Sequence, residues 1–67
     1  MSDKEFVLSI YPDAFVEQDT VSKYYGYHLL WESENRGKLL AYFNDKEFIW
    51  TYAKEIIKNQ MLSRLAQ

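Results

Sequence analysis

The last third of the chain carries its clearest period, and that period decides what the rest must do. In FNDKEFIWTYAKEIIKNQMLSRL, Phe43 to Leu65, the residues Ile49, Ala53, Ile56, Ile57 and Gln60 fall on one helical stripe, flanked by Trp50, Tyr52 and Met61. Glu47, Thr51, Lys54, Glu55 and Lys58 point away from it. Asn44 stands at the cap position with Glu47 three residues on, a capping box, and Phe43 and Phe48 match a hydrophobic staple around it. The spacing predicts a helix over about 45–65. Leu62 and Leu65 leave the stripe, with Met61 between the two faces, so the final turns carry a second apolar surface. A helix apolar along one stripe needs another layer to cover it.

The upstream sequence supplies strands for that layer. In EFVLSIY, Phe6, Leu8 and Ile10 alternate with Val7, Ser9 and Tyr11, which predicts a strand over about 5–11. Pro12 ends it, and YPDA reads as a turn. AFVEQ predicts a second strand over about 14–18, KYYGYHLLWE a third over about 23–32, and KLLAYF a fourth over about 38–43. The expected fold is α+β, one domain over 1–67: a small antiparallel sheet of three to four strands packed on one long C-terminal helix.

Alternation divides the third strand. Lys23, Tyr25, Tyr27, Leu29 and Trp31 share one face and are expected under the helix; Tyr24, Gly26, His28, Leu30 and Glu32 share the other. A hairpin turning at Gly37, with that glycine in the left-handed region, sets Tyr27 opposite Tyr42 and Gly26 opposite Phe43. A bulge at Gly37 shifts this by one residue and exchanges the faces. Both registers are compatible with the sequence. One helix covers one face of a sheet, so Tyr24, His28, Leu30 and Tyr42 become the candidates for an open aromatic face.

Composition excludes several chemistries. The chain has no cysteine, so disulfides, thiolate zinc sites and a cysteine nucleophile are out. A core must then come from packing or self-association, and aromatics at 18% supply large side chains for it. His28 is the single histidine and has no companions at ligand spacing. Serines lack a nucleophile-elbow context and no glycine-rich phosphate loop is present. No catalytic, cofactor-binding or metal-binding residue is expected, and no enzyme. A net charge of −2 gives no electrostatic footprint for nucleic acid, although sheet aromatics could stack bases on Tyr24, His28 and Tyr42. The charged start MSDKEF and the lack of a long apolar run predict a cytoplasmic chain that does not span a membrane.

YPDA at Tyr11–Ala14, GKLLAYF at Gly37–Phe43 and WTYA at Trp50–Ala53 resemble motifs of short uncharacterised bacteriophage and bacterial proteins with a Y-P-x-A turn and a W-x-x-A closing helix. The resemblance spans Tyr11 to about Ile57. It departs at Ala41, where those proteins often have glycine, and in a longer tail beyond Lys58. It implies a fold and a phage-like origin, and supplies no functional residue. Such proteins often act by binding a host protein, defence components included. The expected function is therefore a non-enzymatic protein-binding module of phage accessory type. Its partner is a host factor or a second copy of itself, contacted through Tyr24, His28, Leu30 and Tyr42 or through Met61, Leu62 and Leu65. Single-stranded nucleic-acid binding and a purely structural homo-oligomer are the alternatives.

Overall fold

A computed structural model describes residues 1–65. Its elements run α1 (Asp3–Ile10), β1 (Phe15–Gln18), β2 (His28–Trp31), β3 (Leu39–Phe43) and α2 (Phe48–Leu65). The strands form an antiparallel meander in the order β1-β2-β3, with both helices on one side of it. The α+β class and the long C-terminal helix are as expected.

The strand expected over 5–11 is a helix. Its cap is written in the sequence: the Ser2 hydroxyl accepts the backbone N–H of Glu5 at 3.1 Å, and the Glu5 side chain reaches back to the N–H of Ser2. Phe6, Val7, Ile10 and Tyr11 then recur at helical spacing and meet the core. α1 docks on α2 and makes no comparable approach to a strand. At its start the Asp3 carboxylate accepts from the Thr51 hydroxyl and pairs with Lys54 Nζ at 3.2 Å. Lys54 also lies 5.5 Å from the centre of the Phe6 ring.

The third strand is shorter than 23–32, because residues 20–27 form a loop. Asp19 builds that loop: its carboxylate accepts the N–H groups of Val21 (3.0 Å) and Ser22 (2.9 Å) and the Ser22 hydroxyl. Gly26 adopts φ +85°, a left-handed conformation that closes the turn onto Asp19, whose carbonyl accepts the Gly26 N–H.

The register is neither of the two expected. β2 and β3 pair His28 with Phe43, Leu29 with Tyr42, Leu30 with Ala41 and Trp31 with Leu39, with a bulge at Leu40 rather than at Gly37. Arg36, at φ 52°, takes the left-handed position expected of Gly37. Gly37 instead lets the Glu32 side chain approach; a Cβ there would stand 2.6 Å from Glu32 Oε1.

The faces of β2 are exchanged relative to expectation. Leu30 is fully buried with Val7, Leu40, Ala41, Ile49, Ala53 and Ile57 beneath the helices. Complete burial of a side chain such as Ile49 is worth about 1.5–3 kcal/mol before entropy is counted. Tyr25 and Tyr27, expected in the core, are exposed. α2 begins at Phe48 rather than at about 45, and Asp45, not Asn44, caps it, accepting the N–H groups of Glu47 (2.8 Å) and Phe48 (3.3 Å). Phe43 and Phe48 do stack, at 4.8 Å. Of the predicted stripe, Ile49, Ala53 and Ile57 are buried and Ile56 half-buried, while Gln60 is exposed.

Candidate binding surface on the outer sheet face

The face of the sheet turned away from both helices is built from Phe15 and Glu17 of β1, Leu29 and Trp31 of β2, and Tyr42 of β3. Cross-strand pairing places Leu29 between Glu17 and Tyr42, and it is buried there without belonging to the helix-side core. The loop after β1 then folds over this face at the Tyr42 end. The Tyr24 ring lies 4.9 Å from that of Tyr42, and Tyr27 lies 5.9 Å from it on a second side. Such tilted pairs add about 0.5–1.5 kcal/mol beyond area burial. Tyr27 and Tyr42 nonetheless keep 42% and 45% of their surface exposed, so the cluster is formed but not covered. Lys23 Nζ stands 5.1 Å over the Tyr24 ring.

At the other end of the face, Glu17 joins two partners. Trp31 Nε1 donates to Glu17 Oε1 at 2.9 Å, and Arg36 Nη2 pairs with Oε2 at 2.7 Å. The Arg36 hydrogen bond holds the Glu17 carboxyl below its ordinary value, against the opposing effect of burial and with Trp31 adding to it. Asp19 is likewise held down, first by the Ser22 hydroxyl and then by the N–H groups of Val21 and Ser22. A concavity of about 360 Å³, lined by Leu29, Trp31, Arg36 and the Asp19–Ser22 turn, lies between the Glu17 junction and the loop.

Of the residues expected on an open face, Tyr24 and Tyr42 are brought together. His28 and Leu30 are not: Leu30 is sealed in the core, and His28 is half-buried on the helix side, because the even positions of β2 face inward. Met61, Leu62 and Leu65 are exposed on the last two turns or so of α2, beyond Ile57, where every described residue is exposed. Sequence reasoning missed Tyr27, Glu17, Trp31 and Arg36. A signal was present in AFVEQ, where Ala14 and Val16 alternate with Phe15 and Glu17. A carboxylate on one side of a strand marks that side as outward, and antiparallel pairing carries the assignment across to β2.

Among the described residues no group of three or more His, Asp or Glu could hold a metal ion, and no buried side-chain polar atom lacks a hydrogen-bond partner. Among the described residues no helix is long and apolar enough to cross a membrane. No protein-family model, curated protein or solved structure matches the chain.

Proposed function

We propose that this chain is a non-catalytic protein-binding module that contacts its partner through the outer sheet face. The observation that supports this is the convergence of Tyr24, Tyr27 and Tyr42 on a face that neither helix covers. Tyrosines held by one another lose little side-chain freedom on binding and offer both an apolar ring and a hydroxyl, which is why they anchor interfaces. Following the phage-like resemblance, the partner in this reading is a host protein.

Stacking of nucleic-acid bases is the weaker reading. Among the described residues Lys23 is the cation that stands over these rings, and the Arg36 charge is already met by Glu17.

The test immobilises the chain in bacterial lysate and compares it with Tyr24→Ser/Tyr42→Ser and Leu62→Asp/Leu65→Asp variants. Retention of one specific protein by the wild type and the helix variant, with loss by the tyrosine variant, supports the reading. Equal retention by all three, or retention of nothing specific, overturns it. Binding of a single-stranded oligonucleotide that weakens steeply with salt would favour the stacking reading instead.

A further inference from the structure

We infer that the free edge of β1 is a docking site for an extended, acidic peptide segment of a partner protein, which would add to the sheet as a fourth strand. This site lies on the helix side and is independent of the tyrosine face.

The argument starts from the backbone. The Asp19 N–H donates to the Tyr27 carbonyl at 2.9 Å, so Asp19 turns its backbone towards β2. In an antiparallel ladder the direction alternates, so Glu17 and Phe15 also turn inward to β2, while Val16 and Gln18 turn their N–H and C=O groups outward. Among the described residues no backbone or side-chain group takes those outward positions. β1 is an edge strand, and its only charged residue, Glu17, is tied to Arg36 and Trp31 on the other face. Edge strands are usually blunted by shortness, a free charge, a proline or a cover; β1 is short, at four residues, and has none of the other three.

Next to that edge is a concavity of about 750 Å³. The helices do not close over β1, and the gap between the layers stays open. Val16, Gln18 and His28 form its sheet side; Lys4, Lys46 and Trp50 form its helix side. Side chains of an added strand alternate, so every second one would enter this gap, between Val16 and Trp50, where an apolar group fits.

Charge decides the chemistry of the ends. Lys4 stands 5.5 Å over the Trp50 ring. Neither Lys4 nor Lys46 has a carboxylate partner among the described residues. Asp3 and Glu17, which also line the gap, are already engaged, leaving Glu47 to oppose two free cations. Both helices also turn their N-terminal ends here, since Asp3 and Lys4 open α1 and Lys46 and Glu47 precede α2. Those ends are already met by carboxylates, Asp3 and Glu5 on α1 and Asp45 before α2, so the positive charge offered to a ligand is that of the lysines.

The test is fluorescence anisotropy of the full chain with three labelled peptides. One alternates valine and threonine between glutamate ends; the second has lysine ends; the third is the acid-ended peptide with alternate peptide nitrogens methylated, so that it cannot donate to an edge. The acid-ended peptide is expected to bind at least about tenfold more tightly than either of the others, a difference of about 1.4 kcal/mol. Gln18→Pro removes one outward N–H and spares the β1–β2 ladder, and should abolish binding while circular dichroism stays native. Lys4→Glu with Lys46→Glu should reverse the preference to the lysine-ended peptide. Tyr42→Ser should bind the probe unchanged, so failure here and failure of the tyrosine-face reading are separable. Equal binding of all three peptides, binding of none, or full binding by folded Gln18→Pro overturns the inference. A dimer in solution that Gln18→Pro converts to a monomer also overturns it, because the edge would then belong to a second copy.

Discussion

Trp31 and Glu17 are joined across adjacent strands by a hydrogen bond of 2.9 Å from the indole nitrogen to the carboxylate, and the same carboxylate holds Arg36. Glu17→Ala leaves a half-buried indole N–H without its acceptor and should cost about 1 kcal/mol in urea unfolding. Glu17→Gln keeps an acceptor and should cost less. Moderate salt should weaken the Arg36 pair and leave the indole bond, since exposed ion pairs are screened and neutral donors are not. Tryptophan emission followed through a salt titration checks this: a large red shift in the wild type would count against it.

Leu30 and Tyr42 test which face of the sheet is the core. Leu30→Ala should destabilise by roughly 2–5 kcal/mol, because it opens a cavity among Val7, Ala41 and Ile49. For a chain this small that approaches the whole folding free energy. Tyr42→Ser removes a ring already 45% exposed and should cost much less while leaving the far-ultraviolet spectrum intact. Equal losses in thermal melts would contradict the face assignment.

The acid limb of the stability curve should be set by carboxylates. Asp3, Glu17, Asp19 and Asp45 are each held below their ordinary values, led in turn by bonds from Thr51, Arg36, Ser22 and the Glu47 N–H. A lowered folded-state value means stabilisation that is present above the unfolded-state value and lost as pH falls through the folded one. Tm should therefore be nearly flat from about pH 5 to 8 and fall below the ordinary aspartate value of 3.8. Asp19→Asn should lower the plateau and shallow the acid limb; an unchanged limb would show that the turn carboxylate contributes nothing.

Helix capping gives a paired comparison. Asp45→Ala removes the acceptor for the Glu47 and Phe48 N–H groups and should lower Tm and helical ellipticity, whereas Asn44→Ala should leave both unchanged. The reverse ranking would restore Asn44 as the cap.

The distal apolar residues should be silent in the monomer. Leu62→Asp with Leu65→Asp should change stability by no more than about 0.5 kcal/mol at each site, since both side chains are exposed. A larger loss that depends on protein concentration would reveal self-association through these turns.

Much of this architecture was legible because AFVEQ alternates, KLLAYF is a run of strand formers between polar turns, and the first turns of α2 carry a helical apolar stripe. The first segment was misread because Phe6, Val7, Ile10 and Tyr11 fit a helix while Phe6, Leu8 and Ile10 also fit a strand. The deciding signal, Ser2 with Glu5, lies just outside the apolar run. The loop at 20–27 was hidden by its tyrosines, which favour strands by propensity; Asp19 overrides them with three hydrogen bonds to its carboxylate. The candidate surface was half legible. Tyr24 and Tyr42 could be picked as outward, but Tyr27 was grouped with Leu29 and Trp31 as inward, because the outward side of β2 is marked only through its pairing with the Glu17 side of β1.

The docking of α1 onto α2 has a kinetic meaning. The three strands connect neighbours in the chain and can assemble from local contacts, whereas α1 and α2 are the first and last elements in chain order. Val7 cannot be covered until α2 exists. On a ribosome the strands would emerge with their inner face bare and α1 without its partner, and only the final helix could close both at once. That step carries the long loop-closure cost and is the natural candidate for the rate-limiting barrier. The α1 amides, held through one neighbouring helix alone, should be the first to exchange with solvent deuterium, ahead of those in β2.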